Sequence, residues 1–380
     1  MSAASHSLAD TFDPRRNSLN ALRLALATLV VVSHSWPIGG YGAGIGIGDQ
    51  DLGGWAVAGF FAISGFLITG SRIHSRSLLD YFWRRFLRIY PGFIVALLVV
   101  AFGFAPISVF LLGNGTWTFG AGSSYVLSNV ALMMRQFGIA GTLQGVPFPG
   151  SWDGTLWTLF YEFLCYIGIG FLVSLVPRRF LGVAIVGILV VGTAITCLHL
   201  FDLFAVPDKV LRMARLSTFF AAGALAFQSR KWLPMTWPWA LAFLALLLVT
   251  IFTRTFQAFA GIPVAYLMLY LGIRLPLHRV GARNDISYGI YIYAFPVQQI
   301  LAIVFPDQSL PVAVFILLSV VLAIPFGWAS WMLVEKQAMK FKVIKRRAEP
   351  SIRRPPTWLA NRAPSARRNI GTPGRSRAER

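Results

Sequence analysis

Ten apolar runs, at 20–37, 53–71, 89–112, 155–176, 180–200, 211–228, 236–253, 258–275, 286–305 and 311–334, alternate with polar stretches along most of the chain. A helix of about 20 residues rises about 30 Å, the thickness of a hydrocarbon core, so each run predicts one membrane crossing. Most connections are short. The exception spans 113–154 and holds Trp117, Tyr125 and Trp152 but a single basic residue, Arg135. A connection of that length inside a compact domain is functional or partly re-entrant more often than idle.

Composition agrees with the pattern. Only 13% of residues are charged and 56% are hydrophobic, with a mean hydropathy of +0.65, whereas soluble domains carry about 25% charged residues. The fold class expected is an all-α integral membrane protein of about ten transmembrane helices. The net charge of +20 at first points to nucleic acid, but its distribution points to membrane topology. With the N-terminus inside, and Arg23 set aside as intramembrane, 28 Lys and Arg fall on inner segments against 5 on outer ones. That bias orients both termini to the cytoplasm of a multi-pass inner-membrane protein. Residues 1–18 read as a cytoplasmic segment, since Arg15 and Arg16 precede no small-residue cleavage site. Residues 19–341 form the membrane domain, and 342–380 a basic, disordered cytoplasmic tail. Anionic lipid is the partner expected for that tail, and nucleic acid is not. Cys165 and Cys197 lie in apolar runs without metal spacing. The glycine-rich loop after the first run lacks the strand and helix of a phosphate loop, and no internal repeat points to an inverted-repeat transporter.

Against so apolar a background, each ionisable residue asks for an explanation. Within a span it costs about 2.5–3.5 kcal/mol, which makes it a candidate site by default. The first run holds Arg23 and, eleven residues later, His34. Arg23 reaches the near interface or serves a ligand; His34 lies in the outer half, where an imidazole of pKa about 6.5 suits a general base. The fourth run descends from the outer side and carries Glu162, expected about 10 Å below that face and at the depth of His34. A buried polar pair tying two helices is the alternative for these two. On the inner side, YFWRRFLRIYP sets Arg84, Arg85 and Arg88 before Pro91, with Arg85 and Arg88 on one helical face. Such a pair is either topological charge or a fork for a polyphosphate. In the second run Gly59, Ser64, Gly65, Thr69 and Gly70 allow close helix approach or room for a slender chain. The ninth run opens with Ser287, Tyr288 and Tyr291, and Glu335 closes the tenth, where Lys336 or a tail base is its expected partner.

Taken together these stretches resemble the integral-membrane acyltransferase-3 family over about residues 16–341. The marks are Arg23 and His34, FFAISGFLIT at 60–69, RRFLRIYP at 84–91, LWTLFYEFLCY at 156–166, ISYGIYIYAFPV at 286–297 and LVEKQ at 333–337. Six loose patterns in this order are specific. Two departures stand out: Ala294 occupies a position where the family commonly has histidine, and Gln337 one where it commonly has proline.

The resemblance implies a membrane-bound O-acyltransferase. It would move an acyl group, acetyl in the leading case, from cytoplasmic acyl-coenzyme A to a hydroxyl of an extracytoplasmic acceptor such as a surface saccharide. His34 is then the essential histidine and general base, and Glu162 its orienting or charge-stabilising partner. Arg85 and Arg88 hold coenzyme A phosphates, with Arg23, Ser64 and Tyr288 as further donor-binding candidates. No metal is called for. The rival from another class is a proton-coupled transporter or flippase using His34 and Glu162 as a relay.

Overall fold

The computed structural model describes residues 7–342; the expected tail, Lys342 excepted, lies outside the described residues. In hydrocarbon a chain must satisfy its own backbone polar groups, and the apolar runs do so as helices. We label them α1 (Leu19–Ile38), α2 (Leu52–Ile73), α3 (Leu78–Leu112), α4 (Trp157–Leu175), α5 (Leu181–Leu200), α6 (Asp208–Gln228), α7 (Trp237–Phe252), α8 (Gly261–Arg274), α9 (Ser287–Val304) and α10 (Val312–Phe341). Eight are long and apolar enough to cross a membrane, and α7 and α8 are shorter apolar helices. The chain is an all-α integral membrane protein. Its single sheet among the described residues is a two-residue hairpin, Gly46–Ile47 against Gln50–Asp51, closing the glycine-rich loop.

Side-chain exposure sorts the helices. α9 is the most enclosed, with almost every residue buried, and α2 and α6 follow. Apolar side chains such as Val190, Leu241, Phe252 and Leu317 instead face outward on α5, α7 and α10. Two buried glutamines fasten α9 in place. Gln298 Nε2 donates to Val31 O (2.8 Å) and Ser35 Oγ (2.9 Å) of α1, and Gln299 Nε2 donates to Phe148 O and Ser151 O (both 2.7 Å). Residues 7–12 are not loose either. Leu8 is fully buried, and its N–H donates to Leu233 O at 2.8 Å in the turn between α6 and α7.

Successive helices alternate in direction, which gives the bundle two ends. One carries the starts of α1, α3 and α9 with Arg84, Arg85, Arg88 and Arg283, and is called the basic end below. α3 begins well before the expected residue 89, so the three arginines belong to the same helix as the span. Its 35 residues would rise about 52 Å, far more than a hydrocarbon core needs, and a π turn interrupts it at Val100–Phe104. α10 carries a second π turn, Ser330–Glu335.

The connection from 113 to 156 enters the bundle. After a helix at Phe119–Asn129, the Asn129 side chain binds the backbone of Arg135 and Gln136, and the segment runs inward to Trp152, fully buried with Nε1 donating to Thr142 Oγ1 (2.8 Å). Thr155 Oγ1 then donates to Tyr291 O (3.1 Å) of α9. Thus α4 starts inside the protein, not at a surface.

α2 and α6 approach most closely where two glycines face each other's backbone. A methyl on Gly65 would sit on the Phe220 carbonyl, and one on Gly223 on the Ala62 carbonyl. The small residues of the second run therefore serve close helix contact at Gly65. We expect Gly65→Ala or Gly223→Ala to destabilise by about 1–3 kcal/mol through overpacking, read as a lower Tm in detergent. Gly187→Ala is the control, since nothing lies within 4 Å of a methyl there, and its Tm is expected to hold or rise.

Candidate functional site

The polar residues singled out above gather around three cavities in line. At the basic end, a cavity of 320 Å³ is lined by Arg23, Arg84, Arg85, Arg88, Arg283 and Lys342, with Asp285 as its carboxylate. Asp285 sits between guanidiniums from two helices. Its Oδ2 lies 3.2 Å from Arg23 Nη1 on α1 and 2.5 Å from Arg88 Nη2 on α3. Its Oδ1 accepts from Ser287 Oγ at 2.6 Å. Burial alone would push this carboxyl up, but Arg23 and Arg88 together hold it well below the usual carboxylate range. Arg88 also meets Glu335 Oε2 at 3.5 Å and lies over the Trp331 ring, both carried on the π turn of α10.

Glu335 therefore pairs across the bundle with Arg88, whereas Lys336, its expected partner, lies against Met332. Among the described residues Arg85 pairs with no carboxylate: its guanidinium lies 6.0 Å from the Tyr166 ring centroid and its Nε has no hydrogen-bond partner. Desolvation and the nearby guanidiniums of Arg88, Arg85 and Arg84 lower the pKa of Lys342 at the rim, as expected in a strongly positive field. One guanidinium held by two carboxylates beside an unpaired one can position a polyanion while leaving cationic capacity for it.

Arg23 also lines a second, much smaller cavity of 30 Å³ in the bundle interior, with Phe60, Glu162, Tyr288, Thr158 and Tyr291. Glu162 Oε1 accepts from Ser64 Oγ (2.9 Å) and Tyr166 OH (2.6 Å). The Tyr288 hydroxyl donates to Ile89 O (2.8 Å), so its ring rather than its hydroxyl faces this space. Thr158 and Tyr291, whose hydroxyls are 2.6 Å apart, form the far wall.

That wall is shared with the third cavity, 340 Å³ in volume and open toward the other end. His34 lines it beside Asp51, Thr155, Trp157, Arg212 and Arg215. The imidazole meets the Phe295 ring edge-on at 5.2 Å. Asp51 caps α2 through Gly54 N (2.8 Å) and accepts from Ser33 Oγ at 3.4 Å.

His34 and Glu162 do not share a depth. Gly53 adjoins Ser33, next to His34, and Ser64, eleven residues further along α2, is bonded to Glu162. The two groups are thus about 16 Å apart along the bundle axis, with Glu162 level with Arg23. The expectation failed because α4 begins inside the protein, so counting from its first residue placed Glu162 too far out. A direct relay between them has no support in this geometry. Asp285, Arg212, Arg215 and Thr158 were not singled out as site residues. Asp285 had a signal: it is one of only 14 acidic residues and stands two positions before a buried helix.

A model of the family described as an acyltransferase domain matches residues 16–332. The O-acetyl transferase of Shigella phage Sf6 is 28% identical over 340 residues, covering 85% of this chain and 96% of that protein. Nodulation protein 10 of Rhizobium leguminosarum bv. viciae is 28% identical over 370 residues, covering 86% and 94%. No solved structure matches the chain.

Removing the shared carboxylate tests the cluster at the basic end. Asp285→Asn leaves two partly buried guanidiniums short of a counter-charge, and we expect a loss of about 3 kcal/mol. Because the folded pKa of Asp285 is depressed, its contribution is present above the unfolded value of about 4 and lost as pH falls below it. Thermal unfolding at pH 7 and pH 3.5 should therefore show a larger acid-induced fall in Tm for wild type than for Asp285→Asn.

Proposed function

The chain belongs to the acyltransferase-3 family, and on that premise we propose that it moves an acetyl group from cytoplasmic acetyl-coenzyme A to a hydroxyl of an extracytoplasmic saccharide. It is an acyltransferase and a multi-pass membrane protein; donor, acceptor and sidedness make up the proposal. One observation carries it most: the three cavities adjoin one another across shared walls. Arg23 lines the basic and the central cavity, and Val57, Thr158 and Tyr291 line the central cavity and that of His34. A donor with a polyanionic head and a slender thioester arm suits this series. Its phosphates would meet Arg85, Arg88 and Lys342, and its arm would pass Ser64, Glu162 and the Tyr288 ring. The central cavity holds about one water, so passage requires Phe60 or Tyr291 to swing aside. The phage relative is an O-acetyl transferase, which favours acetyl as the group transferred.

In the proposed reaction His34 takes the proton of the acceptor hydroxyl while its oxygen attacks the thioester carbonyl. The tetrahedral intermediate expels the coenzyme A thiolate, which takes the proton back from the imidazolium. An ester and free coenzyme A result. Base assistance of this kind supplies about 10²–10⁴-fold. Glu162, level with Arg23, then serves the donor arm and its walls and not the imidazole.

The test uses purified full-length protein, labelled acetyl-coenzyme A and an accepted saccharide. His34→Ala is expected to lower turnover by about 10²–10⁴-fold with donor binding kept. Arg85→Gln with Arg88→Gln is expected to raise donor KM, whereas exchange of the exposed Arg178 and Arg179 at the same end leaves it unchanged. A His34→Ala enzyme within tenfold of wild type would remove the histidine from the chemistry.

A further inference from the structure

The cavity of His34 holds two cations that the transfer reaction does not use. Arg212 and Arg215 are one turn apart near the start of α6, and both line it. No carboxylate lies within ion-pair distance of either among the described residues, and Asp49 and Asp208 act on Arg215 only through space. The carboxylate of the cavity itself, Asp51, is engaged by Gly54 N and Gln50 Nε2. Arg215 Nε is buried without a hydrogen-bond partner. Arg212 lies over the Trp157 ring, 4.9 Å from its centroid, which holds a flat cation-and-ring wall against the cavity.

Stability does not account for this placement. Like charges three residues apart on one helix repel. Burying a guanidinium nitrogen without a partner carries a further cost. The pair also stands at the end of the bundle poorer in basic residues. A bound anion would reverse each of these penalties at once.

We infer that Arg212 and Arg215 form an anion subsite that reads an acidic group, carboxylate or phosphate, carried by the acceptor saccharide. This rests on the proposed transferase function and narrows its acceptor class. Trp157 supplies a face for a sugar ring beside the guanidinium. Gln257, whose Nε2 donates to Gln50 Oε1 at 2.6 Å, lines the same cavity. The acid is held on α6 and the reacting hydroxyl is presented to His34 on α1, so the spacing between them selects which hydroxyl is acylated.

The experiment uses full-length protein in nanodiscs and three probes: a tetrasaccharide of alternating glucuronic acid and N-acetylglucosamine, its carboxyl-reduced counterpart, and glucose carried on a polyisoprenyl phosphate. Binding is read by thermophoresis and transfer with labelled acetyl-coenzyme A. At least one acidic probe is expected to bind about tenfold or more tightly than the neutral one, the yield of a charge-assisted contact. Which probe prevails tells a sugar acid from a lipid-linked phosphate. Arg212→Gln with Arg215→Gln should abolish the preference without moving donor KM, and the double Lys variant should restore much of it. Equal binding of charged and neutral probes by wild type, or a preference that survives the Gln variant, overturns the subsite. If the Gln variant does not fold, the wild-type comparison and the Lys variant decide. Charge-selective binding without product from any probe would count against the transferase reading alone.

Discussion

The Asp285 carboxylate, shared by Arg23 and Arg88, is the constraint on which the basic end depends. In a medium of low dielectric a guanidinium without a counter-charge is costly, and here one carboxylate serves guanidiniums from α1 and α3 while itself standing at the start of α9. Glu335 extends the arrangement to α10. Helices α1, α3, α9 and α10 are therefore tied by charge at one end of the bundle. Close backbone contact between α2 and α6, through Gly65 and Gly223, does the corresponding work further in without charge.

From that anchor the geometry of the site follows. Arg23 and His34 are eleven residues apart on one helix, so fixing Arg23 in the Asp285 cluster fixes the height of His34 about 16 Å above it. Arg85, which has no carboxylate partner among the described residues, stands at one end of the interior series of cavities and the imidazole at the other. Glu162 and Ser64 lie at the lower level, bonded to each other. The proposed reaction, with donor and acceptor from opposite faces, requires a cationic entrance separated from a base, and Arg85 and His34 are separated in this way. A proton relay between His34 and Glu162 would need the reverse.

Much of this was legible in the chain because hydrocarbon permits few alternatives: runs of about 20 apolar residues become helices, and their ends were placed within a few residues for most spans. The start of α3 was missed because its first three turns are amphipathic and basic, which reads as a loop when only hydropathy is followed. Hydropathy was equally silent on the connection from 113 to 156, where side-chain bonds from Asn129, Gln299 and Thr155 satisfy irregular backbone in the interior. That one omission misplaced Glu162. Asp285 escaped notice because a lone carboxylate beside a short basic loop looks like solvated surface until its two partners, Arg23 and Arg88, arrive from elsewhere in the chain. Arg212 and Arg215 are, from sequence, two of the five basic residues on outer segments, and nothing in sequence shows that they face a cavity.

We propose that donor and acceptor enter from opposite ends and meet through the bundle. This is tested most directly by reconstituting the full chain in sealed vesicles, determining its orientation by protease access, and supplying impermeant labelled acetyl-coenzyme A on one side and an accepted saccharide on the other. We expect label on the saccharide only when the donor faces the basic end and the acceptor the end of His34. Equal product with donor and acceptor confined together at either single face would contradict the account.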